Sequence, residues 1–256
     1  MGTMLGVLWL VLLTAGCVST RGVLDAPRLS AAVAMDDARY VQRLVEANAI
    51  SVNQAIPGMG YPSTPMITVA ARNASINVLR YVIAAKADLN ARTPDRDTPL
   101  MLAAMFGKDE AALNSDSYAR YDLAARLLVE AGASLENADA AANANANAYT
   151  PLSYAAYAGR DTAVRYLLEK GAKVNANANT QSRTSNVNTP LMMAAMQGHR
   201  NTSLLLLRAG ADATLRTHNG MSALQWAQKN KHTQLVQTLR CAESLQPGET
   251  FRQRCE

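Results

Sequence analysis

The sequence predicts an all-α solenoid of about six helix-turn-helix repeats joined by extended finger loops, and three observations predict it. The segment TPLMMAAMQGHRNTSLLLLRAGADATLR, residues 189–216, recurs along the chain. A recurrence carries a cap, two short apolar stretches at helical spacing and, in three of the six copies, a glycine after each stretch. Composition agrees, because 49% apolar residues with only 5% aromatics suits hairpins rich in Ala and Leu.

The copies overlie one another. TPLSYAAYAGR at 150–160 precedes VRYLLEKGAKVN at 164–175, and TPLMLAAMFGK at 98–108 precedes, after extra residues, ARLLVEAGASLE at 125–136. TPMITVAARN at 64–73 precedes LRYVIAAKADLN at 79–90, and SALQWAQKNKH at 222–232 precedes LVQTLR at 235–240. Upstream, LSAAVAMDDARYVQRLVEANAISVN at 29–53 carries the second half clearly, with Asn48 where other copies have glycine. Within one copy, Thr189 is the expected N-cap and Pro190 the first helical residue, where its missing N–H costs nothing. Leu191, Ala194 and Ala195 give the first helix a thin, small-residue face. Gly198 turns the chain, Leu204 to Leu207 supply the second helix, and Gly210 ends it as a left-handed cap. A hairpin this short cannot bury its own apolar faces, so neighbours must stack.

A period near 33 residues, with Thr98, Pro99, Leu100, Ala103, Ala104, Gly107, Gly132 and Ala133 in these places, resembles the ankyrin repeat over roughly residues 29–240. The histidine that follows Thr-Pro-Leu in that family is replaced by Met101, Ser153, Met192 and Gln225, so its bonds to neighbouring repeats are expected to be missing. The second copy has one extra residue between Thr64 and Ala70, and Ala74 and Lys86 stand where two glycines are expected.

Ahead of the repeats, MLGVLWLVLL at 4–13 is too short for a stable membrane span and ends in Thr14, Ala15, Gly16 and Cys17. Small residues before a cysteine resemble the bacterial lipoprotein signal, which implies a signal peptide at 1–16, lipidation of Cys17 and a polar tether at 17–28. An ordinary signal peptide or a core helix are the alternatives. By the same resemblance, Val18 after the cysteine implies the outer membrane and a periplasm-facing domain. Export leaves Cys241 and Cys255 as an even pair in an oxidising compartment, expected to close the tail at 241–256 by a disulfide, with two free thiols as the alternative.

Net charge is +5, but the arginines make no run and an exported chain meets little nucleic acid, so no nucleic-acid partner is expected. Three stretches exceed the repeat. About 13 extra residues follow Gly107, with Tyr118, Tyr121, Ala125 and Leu128 at helical spacing, predicting a lengthened second helix; they are either surface elaboration or a partner contact. Two Ala- and Asn-rich tracts, at 136–151 and 175–190, lengthen fingers by about six residues each, through repeat slippage or through selection for binding.

No HExxH, GxSxG, phosphate loop or Cys/His metal spacing occurs, so no enzyme, cofactor, metal or small-molecule substrate is expected. His199 and His232 fall where the repeat's second turn has histidine and are expected to be structural; His218 lies in a finger. The ankyrin resemblance implies instead a concave binding face built from finger tips and from two positions after each Ala pair. Those helix positions are Arg72 and Asn73, Met105 and Phe106, Tyr157 and Ala158, Met196 and Gln197, and Lys229 and Asn230. The finger positions are Tyr61, Asp95, Asp97, Tyr149, Asn186, Asn188, Asn219 and Met221. Met105, Phe106, Tyr157 and Met196 are expected to form an exposed apolar stripe, since Met and aromatic residues are what binding surfaces enrich.

A lipid-anchored ankyrin module resembles immunity proteins that neutralise an antibacterial lipase or phospholipase effector delivered by a neighbouring cell, as by type VI secretion. The resemblance implies a protein partner bound on the concave face. A scaffold or protective partner of a resident periplasmic enzyme, and an accessory of envelope assembly, are the rival readings.

Overall fold

The computed structural model describes residues 26–105, 115–136, 149–176, 188–217, 219–246 and 248–256, with side chains of the third stack's long helix described from 118 onward. The expectations for the signal peptide, Cys17, Phe106, Asn186, His218 and the tracts at 137–148 and 177–187 lie outside the described residues.

The described helices fall into six consecutive pairs and a terminal turn: α1 (Ala26–Ala34) with α2 (Ala38–Glu46), α3 (Met66–Arg72) with α4 (Ile76–Ala84), and α5 (Pro99–Met105) with α6 (Ser115–Glu130). There follow α7 (Pro151–Ala158) with α8 (Asp161–Glu169), α9 (Pro190–Gln197) with α10 (Arg200–Arg208), α11 (Ala223–Lys229) with α12 (Thr233–Glu243), and α13 (Phe251–Cys255). The first helices form one row, each in contact with the next, and the second helices form another. Between the rows, Leu100, Ala103, Ala104, Leu128, Leu152, Ala155, Ala156, Leu167, Leu191, Ala194, Ala195 and Leu206 are all at most 2% exposed and belong to one continuous core. The Ala pairs let backbones of adjacent first helices come close, while the leucines fill the seam between rows. Among the described residues no helix is long and apolar enough to cross a membrane.

Capping follows the sequence logic. The hydroxyls of Thr98, Thr150 and Thr189 accept the amides of Met101, Ser153 and Met192, and Ser222 forms a capping box with Gln225. The residues that replace the family histidine thus bond locally to the cap: Met101 Sδ accepts from the Thr98 amide and the Ser153 hydroxyl pairs with Thr150. The second copy differs, because Thr64 does not cap α3. Pro65 does, while Thr64 is buried in a strand and donates to the Gly58 carbonyl.

That strand is a departure from the all-α expectation. β1 (Ala55–Gly58) and β2 (Tyr61–Pro65) pair antiparallel, turning at Met59 and Gly60, both at positive φ as a two-residue hairpin turn requires. Ile56 is fully buried and anchors the ribbon to the stack. The start also shifts: α1 begins at Ala26, inside the stretch assigned to the tether, with Pro27 in its first turn. At the other end α12 continues to Glu243, past the expected limit at 240.

Two polar devices fix the spacing between pairs. At the start of successive fingers, Asn53 accepts the Asp88 amide, Asn90 that of Ser134, Glu136 that of Lys173, and Asn175 that of Asp212, at 2.8 to 2.9 Å. On the helical side, His199 Nε2 donates to the Tyr157 carbonyl at 3.0 Å and His232 Nε2 to that of Met196 at 3.1 Å. The histidines demand glycine beneath them. A Cβ on Gly159 would meet the His199 ring at 2.7 Å and one on Gly198 the His232 ring at 2.5 Å, and both glycines also have positive φ.

The lengthened helix α6 is used internally. Arg120 donates to the Ala74 carbonyl and pairs with Asp36 at 3.1 Å, while Asp36 also accepts the Val78 amide. In the other direction Asp122 pairs with Arg160, which is 5% exposed and lies over the rings of Tyr118 and Tyr121. Part of the extension therefore cross-links pairs rather than facing a partner.

Candidate functional site

The finger tips and the ends of the first helices bring several predicted residues together. Met105 ends α5, Tyr157 sits near the end of α7, and Tyr149 lies just before the cap of α7; all three are half-buried, and the two tyrosines pack on the core margin. With Tyr154 and Met193 they line one apolar groove of ≈ 240 Å³. This is smaller than typical small-molecule pockets and suits an inserted side chain. Tyr149 and Tyr154 meet edge to face, their ring centres 6.1 Å apart, and form a shared wall with a second, more polar notch. Pro94, Asp95, Arg96, Asp97 and Met101 complete that notch.

The finger at 92–97 is held in place from both sides. The Thr93 amide donates to the Asp97 carbonyl across a turn in which Arg96, at positive φ, donates its amide to the Thr93 carbonyl, and the Thr93 hydroxyl accepts the Asp97 amide. Tyr61, on β2, donates to Asp95 at 2.5 Å, and Tyr154, on α7, donates to Asp97. Burial and the bond to Asp97 push the Tyr154 phenol well above its ordinary range, and burial alone raises that of Tyr149. The Tyr61 phenol is raised by its bond to Asp95 first and by the fields of Asp95 and Asp97. Burial also raises the Asp97 carboxyl, the Tyr154 bond opposes this, and the charge of Asp95 adds to it.

A raised carboxyl pKa means that the folded state holds the proton more tightly than the unfolded chain. Ionised Asp97 therefore costs stability above its folded pKa, and the cost disappears as pH falls below the ordinary carboxylate value. Asp97→Asn, which keeps an oxygen for Tyr154, is expected to leave the melting temperature unchanged or higher at pH 7 and to narrow its gain on mild acidification. Paired thermal melts at neutral and mildly acidic pH check this; a clear fall at pH 7 would make Asp97 a structural residue.

The remaining predicted residues are more dispersed. Arg72 is half-buried and Asn73 exposed at the end of α3, and Asn219 is exposed in its finger. Met196 and Gln197 are half-buried at the end of α9 and stay outside the groove, which takes Met193 from one turn earlier instead. Lys229 stacks over Trp226 at 5.0 Å, and the Trp226 indole donates to Asn188 at 3.1 Å, a second small cluster. The Asn230 amide is spent on the Met196 carbonyl. Ala158 corrects the expected surface: it is 6% exposed, and it precedes Gly159, over which the His199 ring closes.

Sequence reasoning missed Tyr154 and Met193. Both sit at the position before the Ala pair, where Leu102 is buried, so they read as core. The available signal was that a tyrosine at such a position needs a partner for its hydroxyl, and an acidic finger lay one repeat upstream.

Among the described residues no group of three or more His, Cys, Asp or Glu is placed to hold a metal ion. The family described as ankyrin repeats, in three copies, matches residues 111–178 and 176–247. No curated protein gives a significant match. The matched span begins after the β-ribbon and after the pairs in which Asn48, Ala74 and Lys86 take the left-handed positions at φ 53, 48 and 65.

Proposed function

The chain belongs to the ankyrin-repeat family, a non-catalytic scaffold for protein–protein interaction, and on that premise we propose that it is a lipid-anchored immunity protein whose concave face neutralises an antibacterial lipase or phospholipase effector. In this reading the helix pairs from α1 to α12 are six repeats of one solenoid. Cys17 carries the lipid, the domain faces the periplasm from the outer membrane, and the tether keeps the inhibitor beside the bilayer that such an effector attacks, raising its effective concentration there. Inhibition is by occlusion of the effector's cleft or lid.

One observation supports the binding face most directly: Met105, Tyr149 and Tyr157, from successive units, converge on one groove beside the pre-organised finger of Asp95 and Asp97. Half-buried aromatic and Met side chains around a concavity are what interface hot spots are made of. Their rigidity matters too, because a finger already fixed by Tyr61 and Tyr154 loses little entropy on docking.

The test is capture from envelope extracts by the tagged, membrane-anchored chain, with Met105→Ala/Tyr157→Ala as control. We expect wild type to capture a lipase-like effector and to rescue cells poisoned by it. The double variant should keep the helical circular dichroism while binding about 100-fold more weakly. Capture of a resident periplasmic enzyme without rescue would favour the scaffold reading. Equal capture by both proteins would place the interface elsewhere, and Cys17→Ser that stays in the membrane fraction would remove the anchor.

A further inference from the structure

Asp95 and Asp97 lie two residues apart on one finger, close enough for each carboxylate's field to reach the same tyrosine. Each accepts a phenol, which is neutral, and among the described residues neither forms an ion pair. This holds in a chain of net charge +5, where cations are plentiful. Arg96 lines the same notch and Arg92 reaches the Arg96 carbonyl at 3.3 Å, while among the described residues the charge of Asp95 is one that raises the Asp97 carboxyl. The folded chain therefore holds two carboxylates side by side, one of them half-buried, at a net cost that an outside cation would relieve.

The groove next to them has matching chemistry. Tyrosine faces attract a cation, thioethers adapt to an alkyl chain, and long basic side chains bury their stems while keeping the head polar. The common wall of Tyr149 and Tyr154 puts apolar and acidic surfaces within one side chain's reach.

We infer that the partner inserts an arginine or lysine side chain here, its stem in the groove between Met105, Tyr157 and Met193 and its cationic head on Asp95 and Asp97. Arginine fits better, since its planar fork can meet a carboxylate on two bonds and stack on a ring at once. The partner is thus a protein with a basic residue exposed on the segment to be covered. The inference rests on the concave-face reading and deepens it.

The probe is a library of short random peptides, selected on the full chain in detergent and counter-selected on Met105→Ala/Tyr157→Ala. Enriched peptides are expected to share a basic residue beside an apolar one. Resynthesis of the best with citrulline, which is neutral and nearly isosteric, should weaken binding about tenfold or more, and Asp95→Asn/Asp97→Asn should weaken the original peptide by a similar factor. That carboxamide variant should melt no lower than wild type, which a merely structural role for the two aspartates does not allow. Enriched peptides lacking a basic residue, or equal binding of the citrulline peptide, would overturn the cation anchor and leave the concave face standing. Peptides that bind the Met105→Ala/Tyr157→Ala chain as well as wild type, or no enrichment at all, would count against both.

Discussion

Arg160→Ala is expected to lower stability by about 3 kcal/mol, the low end of what breaking a buried ion pair costs. The side chain of Arg160 is 5% exposed and that of Asp122 23%, so removing the cation leaves a carboxylate that water reaches only in part. Two further losses follow. The guanidinium also donates to the Tyr118 carbonyl and lies 5.5 and 5.9 Å from the ring centres of Tyr118 and Tyr121. These contacts tie the start of α8 to α6, from the repeat position at which His199 and His232 bond instead to the ends of α7 and α9. For a domain of this size the melting temperature should drop by about 6 to 12 °C. Arg160→Lys keeps the charge without the fork or the stacked plane and should fall between the two. A midpoint within about 2 °C of wild type for Arg160→Ala would mean that the pair only breaks even with its desolvation.

Arg160 also shows why some of this architecture could be read in the sequence and some could not. The hairpin unit was legible because caps, Ala pairs and left-handed positions act within a few residues. Thr150, Thr189, Gly159 and Gly198 have the conformations their positions demand. Even the substitutes Asn48, Ala74 and Lys86 take positive φ, since the chain must turn there whatever residue is present. What could not be read depends on pairing across repeats. An arginine in place of a histidine looks like a surface charge until α6 is seen to supply Asp122, 38 residues earlier. The same holds for Tyr154 and Asp97, 57 residues apart, whose bond turns an apparent core position into a wall of the groove. Register between Met105, Tyr157 and Met193 is likewise set by stacking, and one turn of helix decided between Met193 and Met196.

Loss of the Cys241–Cys255 bond is the other large effect. The cysteines are joined with their Cα atoms 5.9 Å apart and 14 residues apart in sequence. A loop of this length is worth about 3 kcal/mol in the chain-entropy model. The helix it retains, α13, has five residues and could not persist alone. Docked, it places Phe251 at 4% exposure against α10 and α12 and covers the end of the stack. The ion pair of Arg208 with Glu256 helps little, because the arginine is 40% exposed. Cys241→Ser/Cys255→Ser should therefore lower the melting temperature by about 6 to 12 °C. The loss should be local: in a stack each unit leans on its neighbours, so hydrogen exchange should quicken in α11 and α12 and stay slow in α5 and α7. Reductant should reproduce this in wild type and do nothing to the double variant. Unchanged exchange in α12 without the bond would show that Phe251 packing alone holds the cap. If the expected loss is seen, a chain kept where thiols stay reduced would carry a frayed last pair while its groove, built on α5, α7 and α9, stayed intact, so binding and stability would report separately on the compartment the protein needs.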